Sequence, residues 1–423
     1  MSDFAAPPLL SYDLDLLNGG PANRDADRQL VTGRRREGHM GTPIDQPRSS
    51  VHAQWAEWNA DPRPYTVGIE EEVMLLDPGR KWVLAQRIED VLGSLPDALA
   101  GYVCAETHQA AIELTTDPHP SVGGAVGQLR GLRQRLSETL GELGLAAAVA
   151  GTHPSADWSE TEVTEASRYR MIQRTMRDLT TREPTFALHV HVGVGDPERA
   201  IDLYNRLRVH LPLLLALSGN SPFWRGRDAG FASTRTFLFQ AFPRTGMPRR
   251  YSSYSEWVET VDLQIRCGAL PEPTFLWWDV RPQPKFGTVE VRIMDAQSYV
   301  ADTAALVALV QSIARLELEE GYVSDHIVRA DEALAENRFI AARDGVDASL
   351  IDTTTESLRP VTELLDELLV AARPHAEVLG CAEELEWVPA LAATPGASRQ
   401  RRFSIDQAGL ARLMAALAAA FLA

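Results

Sequence analysis

Three short segments of this chain repeat one pattern, in which two chemically active side chains are separated by a single position. They are Glu70 and Glu72 in YTVGIEEEVMLLD, His189 and His191 in FALHVHVGV, and Glu290 and Arg292 in GTVEVRIMD. Residues i and i+2 of a β-strand point to the same face, so each pair shares one side of a sheet. The alternate positions are almost all apolar. The pattern therefore predicts a sheet with one face packed on a core and one face that carries carboxylates, imidazoles and a guanidinium.

Burying these charges is costly unless they pair or coordinate ions. Hard divalent cations prefer carboxylate oxygens, so Glu70 and Glu72 are predicted metal ligands. A solvated strand edge is the alternative for this acidic triplet, since Glu is usually a surface residue. The residues on either side of the triplet are strongly apolar, which argues against a solvated edge. Glu71 falls on the apolar face by parity, where we expect a salt bridge or an edge position.

Size and composition indicate a globular protein with an ample core. The chain has 423 residues, of which 45% are apolar and 23% charged, enough for a large single domain or two ordinary ones. A formal net charge of −17 argues against a nucleic-acid or anionic-membrane surface, although solubility alone also explains it.

Cysteine usage and the terminal segments predict a cytoplasmic location. Cys104, Cys267 and Cys381 lie far apart without metal-ligand spacing, which favours a reducing compartment. The first residues show no signal peptide. The apolar C-terminal stretch LMAALAAAFLA is shorter than the roughly 20 residues that span a bilayer, so no membrane partner is expected.

The chain divides into an extension and a domain. Residues 1–60 are rich in Pro, Gly, Asp and Arg with little periodicity, and we predict a mobile extension there. Residues 61–423 are predicted to form one catalytic domain. Helices are predicted from Ser121 as an N-cap, over about 197–210 with Pro212 interrupting the far end, and over about 302–320, 358–372 and 405–422. The predicted class is α+β, with a mainly antiparallel sheet, helices on one face and an open charged face on the other.

Other side chains complete the candidate site, each with a structural alternative. Glu113 lies between Ile112 and Leu114, as expected for a strand residue that faces away from the core. Glu106 is seven positions earlier, so a bulge or turn near 107–109 is needed for the two acids to converge. His189 and His191 can face a metal or phosphate oxygens, or be hydrogen-bonded core residues. Glu290 and Arg292 can bind a metal and a phosphate, or form a cross-strand ion pair.

The sequence lacks a P-loop, a dinucleotide fingerprint, an HExxH motif and a GxSxG motif. If this protein uses a nucleotide, metals and arginines must hold its phosphates, because no glycine-rich loop is present to do so.

These features together resemble the bacterial type 2 glutamate–cysteine ligases, also called carboxylate–amine ligases. The matching segments run in order from about residue 65 to 402: GIEEEVMLLDP, ETHQAAIELTTDPHP, AGTHP, SRYRMI, LHVHVGVGD, LPLLLALSGNSPFWRG, ASTR, FPRTGMP, WWDVRPQPKFGTVEVRIMD and GASRQRR. The resemblance implies a catalytic sheet similar to that of glutamine synthetase, with ATP and several Mg²⁺ ions on its open face.

The resemblance also implies a role for each candidate. The implied metal ligands are Glu70, Glu72, Glu106, Glu113, His189 and Glu290. His191 and Arg292 would bind the nucleotide, and Arg292 would stabilise the transferring phosphoryl group. The candidates for binding the carboxylates of an amino-acid substrate are Arg168, Arg235 and Arg281, each of which could instead be a structural ion pair. Trp277 and Trp278 could wall the pocket or pack in the core.

The implied reaction is amide formation through an acyl phosphate, with glutamate as the acid and cysteine or another amine as the nucleophile. The implied partners are small amino-acid substrates, and a homodimer is the assembly that the resemblance suggests. Two alternatives stay open at this point. One is a phosphotransferase on the same scaffold, and the other is a metal-dependent hydrolase that uses the HxH strand.

Overall fold

The computed structural model describes residues 53–59, 63–157, 159, 161–182, 184–403 and 405–423. Residues 1–52 of the predicted extension therefore lie outside the described residues. Residues 53–59 pack on the domain: the Trp58 indole donates to the carbonyl of Val194 at 2.8 Å, and the Tyr254 hydroxyl donates to the carbonyl of Ala56 at 2.6 Å. The packed part of the chain thus begins before the predicted boundary at residue 60.

Most strands of the described residues are short, and three of them exceed six residues. In chain order they are β1 (Val67–Asp77), β2 (Val83–Leu84), β3 (Val103–Ala105), β4 (Ala111–Thr115), β5 (Ala146–Ala148), β6 (Ala187–Gly193), β7 (Phe223–Trp224), β8 (Arg227–Asp228), β9 (Thr245–Gly246), β10 (Trp277–Trp278), β11 (Val280–Gln283), β12 (Thr288–Asp295), β13 (Ser349–Asp352) and β14 (Ser357–Pro360).

Eight of these strands form the main sheet, in the order β11-β12-β6-β1-β4-β3, with β2 and β5 also paired to β1. Every pairing within this sheet is antiparallel. The long strand β1 lies at its centre because its alternating apolar residues are buried on one face over its whole length.

The helices are α1 (Ile88–Gly93), α2 (Asp97–Ala100), α3 (Val122–Glu142), α4 (Ser167–Met176), α5 (Pro197–Ser218), α6 (Thr234–Phe239), α7 (Tyr254–Arg266), α8 (Val300–Glu320), α9 (Asp325–Val328), α10 (Asp331–Asp344), α11 (Val361–Leu379), α12 (Ala382–Leu385), α13 (Val388–Ala393), α14 (Gly396–Gln400) and α15 (Gln407–Ala420). Among the described residues, no helix combines the length and the apolar composition needed to cross a membrane.

The apolar face of the sheet is covered by α3, α5 and α8, which contact its strands and one another. Local signals fix where these helices begin and end. The Ser121 hydroxyl caps α3 by accepting from the amide of Gly124 at 3.3 Å, and Asp196 caps α5 through the amides of Glu198 and Arg199. Helix α8 ends at Gly321 in the left-handed conformation, with φ of 62°. The predicted α+β class, with helices on one face of an antiparallel sheet, is confirmed.

The predicted interruption at Pro212 is wrong, because α5 continues through it to Ser218. Proline inside a helix costs about 3 kcal/mol. The residues on either side of it, Leu211 and 213–217, are all buried, and each buried leucine stabilises the fold by about 1.5–3 kcal/mol. Core packing therefore outweighs the lost backbone hydrogen bond. Helix α11 likewise passes through Pro374 and ends at Leu379, later than expected.

Glu71 forms the predicted salt bridge on the apolar face. Its carboxylate accepts two hydrogen bonds from the Arg133 guanidinium of α3, at 2.8 and 2.5 Å. Arg133 also donates to the backbone carbonyls of Gln297, Ser298 and Phe421. Both charged side chains are buried, so the pair and its carbonyl acceptors join β1, α3 and the C-terminus of the chain.

Removing one partner of this pair should strongly destabilise the protein. Glu71→Gln and Arg133→Met should each lower the free energy of unfolding by about 3–5 kcal/mol, because each leaves a buried charge without its counter-ion. The free energy of unfolding of the double variant should fall by less than the sum of the two single-variant losses. Urea unfolding followed by circular dichroism measures this, and single variants within about 1 kcal/mol of wild type would contradict a role for the pair in stability.

Candidate active site

Antiparallel pairing places the predicted polar residues of four strands side by side. Glu70 of β1 lies opposite His189 of β6, and His191 lies opposite Glu290 of β12. On the other side of β1, Glu72 lies opposite Glu113 of β4. The i, i+2 pairs of each strand thus form continuous rows across one face of the sheet.

Glu106 joins this cluster through the β3–β4 hairpin. Cys104 lies opposite Glu113, and Glu106 follows two positions later on the same face. The chain turns just beyond it, where the amide of Ala111 donates to the carbonyl of His108 at 3.0 Å. The turn expected near 107–109 is therefore present, and it brings Glu106 next to Glu113.

Three groups of side chains have ligand atoms within 4.8 Å of one another, close enough to share a metal ion. They are Glu72, Glu106 and Glu113; Glu70, Glu113 and His189; and Glu70, His191 and Glu290. The groups contain five carboxylates and two imidazoles but no thiolate. This donor set fits a hard divalent cation such as Mg²⁺, and all six predicted metal ligands belong to it.

The first group holds protons more tightly than isolated carboxylates do. Burial, followed by the nearby Glu106, raises the pKa of Glu72 from its ordinary 4.5 to about 8. Burial also raises the pKa of Glu106. Burial together with Glu70, Glu106 and Glu72 raises the pKa of Glu113 well above its ordinary range. Without a cation, three neighbouring buried carboxylates cannot all be ionised at neutral pH.

The pKa values of Glu70 and Glu290 are lowered instead, because basic side chains face these carboxylates. Burial opposes ionisation of Glu70, but His191 and hydrogen bonds with His189 and His191 outweigh it and lower its pKa. Burial likewise opposes ionisation of Glu290, and Arg281, Arg292 and the two histidines lower its pKa well below the ordinary value.

The pKa values of the two histidines shift in opposite directions. Burial, followed by Arg292, lowers the pKa of His189 to about 4, so its imidazole is neutral and able to bind a metal. Burial also opposes protonation of His191, but Glu70 and Glu290 outweigh it and raise its pKa. The Nε2 atom of His191 lies 3.0 Å from Glu70 Oε1, and its Nδ1 atom lies 2.9 Å from the Thr288 hydroxyl.

Arg292 lies over the same cluster. Its Nη1 atom donates to Glu290 and lies 3.4 Å from His189 Nδ1. Burial opposes its charge, but Glu290 and Glu70 outweigh burial and raise its pKa, so it is a permanent cation. The pairing of β12 with β6 shifts register between Val291 and Met294, so Arg292 lies within a β-bulge. Bulges often re-aim side chains next to active sites.

The three predicted substrate arginines all line the cleft but have different surroundings. Arg168 of α4 pairs with Glu272 at 2.5 Å at the mouth. Arg235 of α6 is buried, donates to the carbonyls of Ile293 and Arg292, and has an Nε atom without a hydrogen-bond partner among the described residues. Arg281 donates to Glu290 from Nε at 2.6 Å.

Several side chains of the cleft were not singled out from sequence. The cleft has a volume of about 220 Å³, and α4 and α6 contribute to its walls. Gln283 donates to Glu290 at 2.7 Å, a position that its i+2 spacing from Arg281 could have indicated. Four aromatic side chains also line the cleft. Phe239, Phe242 and Trp277 pack on one another, whereas Phe286 lies edge-on to His191. Trp277 therefore lines the cleft, whereas Trp278 packs near Tyr251.

Sequence comparisons place most of the chain in one family. The family model described as "Glutamate-cysteine ligase family 2 (GCS2)" matches residues 66–412. A relative from Rubrobacter xylanophilus, "Putative glutamate--cysteine ligase 2-1", is 41% identical over 345 residues, 82% of this chain and 91% of the relative. "Putative glutamate--cysteine ligase 2" from Sorangium cellulosum is 39% identical over 327 residues, 77% of this chain and 87% of the relative.

Solved structures share the fold at much lower identity. A glutamate–cysteine ligase from Francisella tularensis in complex with AMP has a TM-score of 0.61 at 14% identity, covering 87% of this chain and 90% of that one. A bifunctional glutathione synthetase from Pasteurella multocida has a TM-score of 0.62 at 12% identity, covering 84% of this chain and 52% of that one. At these identities the likeness shows the fold alone, and it agrees with the α+β prediction.

The raised pKa of Glu72 predicts how the stability of the metal-free protein depends on pH. Between its ordinary pKa of 4.5 and its folded-state pKa of about 8, the folded chain binds a proton that the unfolded chain releases. The free energy of unfolding should therefore fall as pH rises through this interval. Saturating Mg²⁺ should reduce the fall, because a cation binds the deprotonated carboxylates.

Glu72→Gln isolates the contribution of this group. Thermal unfolding of the chelator-treated variant should show a shallower pH dependence than that of wild type. Identical slopes in the two proteins would contradict the assignment of a proton to Glu72.

Proposed function

The chain belongs to the glutamate–cysteine ligase family 2 and is a carbon–nitrogen ligase of that family, and from this premise we propose that it uses ATP to join a carboxylate to an amine. The acid we propose is glutamate, through its γ-carboxylate, and the amine is that of cysteine or another small molecule. The observation that carries this proposal is the gathering of five carboxylates, two imidazoles and Arg292 on one face of the sheet. The comparisons favour neither the phosphotransferase nor the hydrolase alternative.

The chemistry explains why such a site needs both phosphate and cations. A carboxylate is a poor electrophile because an amine would have to expel oxide from it. In the proposed first step, a carboxylate oxygen attacks the γ-phosphorus of ATP and ADP leaves. In the second, the neutral amine attacks the acyl carbon, and phosphate leaves with the carboxylate oxygen. The sum is ATP, acid and amine converted to ADP, phosphate and amide.

The acidic residues of the cleft are proposed to hold the divalent cations. Glu72, Glu106 and Glu113 would hold one ion, and the groups built around Glu70 would hold others through His189 or through His191 and Glu290. Bound Mg²⁺ would neutralise the charge of the β- and γ-phosphates during transfer. The Francisella tularensis ligase of the same fold was solved with AMP, which supports the use of a nucleotide by this chain.

Arg292 is proposed to stabilise the phosphoryl group during transfer. It is a permanent cation that is largely buried at the cleft, where an electrostatic contact is worth more than in bulk water. His191 is proposed to contact the nucleotide from the neighbouring strand, supported by its place opposite Glu290.

Arg235 and Arg168 are the arginines best placed to bind the carboxylates of an amino acid. Arg235 is buried in the cleft with its Nε atom unpartnered, which supports a role in binding an anion. Arg168 lies at the mouth and would exchange Glu272 for a substrate carboxylate. For Arg281 we propose a supporting role, because its guanidinium contacts Glu290 and the carbonyls of Thr274 and Leu276.

A product assay tests the proposal. Purified protein with Mg²⁺, ATP and glutamate should release ADP and phosphate only when a suitable amine is also present, and an amine panel that includes cysteine should identify it. Phosphate and ADP should appear in equal amounts with the amide. Nucleotide turnover that needs no amine would contradict ligation.

Two variants control this assay. Glu113→Gln should lower turnover by at least about 100-fold, because Glu113 belongs to two of the three candidate metal groups. Glu138→Gln removes the same charge from the exposed side of α3 and should retain wild-type turnover. Equal activity in the two variants would contradict the role of the acidic cluster.

A further inference from the structure

Glu290 already carries a full set of hydrogen bonds. An ionised carboxylate offers about four acceptor positions. Its Oε2 atom accepts from Arg281 Nε at 2.6 Å and from Gln283 Nε2 at 2.7 Å. Its Oε1 atom accepts from Arg281 Nη2 at 3.3 Å and from Arg292 Nη1. A metal ion can therefore reach this carboxylate only if one of these donors leaves.

The same carboxylate belongs to a group that could hold a cation. Ligand atoms of Glu70, His191 and Glu290 lie within 4.8 Å of one another. A divalent ion among them and the Arg292 guanidinium would compete for the same negative charge, since Arg292 also faces Glu70. Two cations that contact one carboxylate oxygen in a dry site repel each other strongly.

The donors to Glu290 differ in how firmly they are held. Arg281 is anchored from a second side, because its Nη1 atom donates to the carbonyls of Thr274 and Leu276 at 3.0 and 2.9 Å. Arg292 has no such carbonyl anchor among the described residues: apart from Glu290, its Nη1 atom makes one long contact with His189 Nδ1 at 3.4 Å, and its Nε atom is buried without a hydrogen-bond partner. Arg292 is therefore the donor that can leave at the lowest cost.

We propose that Arg292 occupies the cation position at Glu290 in the metal-free protein, and that an arriving divalent ion displaces its guanidinium from this carboxylate into the cleft. Arg281 and Gln283 stay on Oε2 and keep Glu290 oriented. The exchange rests on the proposed function, because the site that it assembles is the metal and phosphate site of the ligase. The exchange couples metal binding to phosphate binding: Arg292 becomes free to meet an anion only after the ion has bound.

Metal binding to the protein without nucleotide tests this exchange directly. We would titrate metal-stripped wild type, Arg292→Met and Arg281→Met with Mn²⁺, following free Mn²⁺ by electron paramagnetic resonance. The relevant site is the one that disappears in Glu290→Gln. Arg292→Met should bind Mn²⁺ at this site about tenfold more tightly than wild type, because a charge-assisted hydrogen bond no longer competes.

Arg281→Met is the matched control. It removes the same charge from the same carboxylate, but it removes an anchored donor, so its Mn²⁺ affinity should be equal to or weaker than that of wild type. An equal gain in Mn²⁺ affinity in the two variants would overturn the exchange. The loss of one positive charge near the site would then explain both gains. Unchanged or weaker binding by Arg292→Met would also overturn it.

Failure of the proposed metal site gives a different result from failure of the exchange alone. Absence of Mn²⁺ binding in wild type and both variants would overturn the metal site itself, and the exchange with it. If Arg292→Met does not fold, wild-type crystal structures without metal and with Mg²⁺ and ADP decide the question. The contact between Arg292 and Glu290 should be lost on metal binding while that of Arg281 remains, and an intact Arg292 contact would overturn the exchange.

Discussion

Glu70 and Glu72 of β1, Glu113 of the adjacent β4 and Glu290 of β12 lie on one face of an antiparallel sheet, and carboxylates gathered this closely cannot all carry a charge unless cations accompany them. The metal-free protein meets this constraint in two ways. Glu72 and its neighbours retain protons, as their raised pKa values indicate. Glu70 and Glu290 remain ionised because histidines and arginines face them. In both arrangements the carboxylates become available to a divalent ion only when the protons or the facing cations give way to it.

The opposite face of the sheet keeps these groups in place. Helices α3, α5 and α8 bury the alternate residues of β1, β6 and β12. The strands that carry the acids are therefore held in place by packing on their apolar face. Arg133 and Glu71 add a charged link within that apolar layer. Side chains that project from a packed sheet are positioned more accurately than side chains on loops. The walls of the cleft, by contrast, come from α4, α6 and irregular segments.

Sequence alone predicted the polar face well because strand periodicity depends only on local geometry. The pairs at 70 and 72 and at 189 and 191 each share a face, as their spacing requires, and Arg292 contacts Glu290 although it lies within a bulge. Strand order and register come from long-range packing, so the meeting of Glu72 with Glu113 and the contact of Arg281 with Glu290 could not be derived. Once Arg281 is placed, the i+2 spacing of Gln283 puts it on the same face. Pro212 was misjudged for a related reason, because the burial that overrides it is a property of the whole core. The roles of individual site residues remain predictions.

The central claim is that this face transfers phosphate from ATP to a carboxylate before an amine displaces it. Isotope transfer tests this most directly, because the carboxylate oxygen must leave with the phosphate. The acid substrate would be labelled with ¹⁸O in its reacting carboxylate, and the inorganic phosphate released with amide would be examined by ³¹P nuclear magnetic resonance. The account predicts one ¹⁸O atom in each phosphate formed. Unlabelled phosphate, released together with amide, would contradict it.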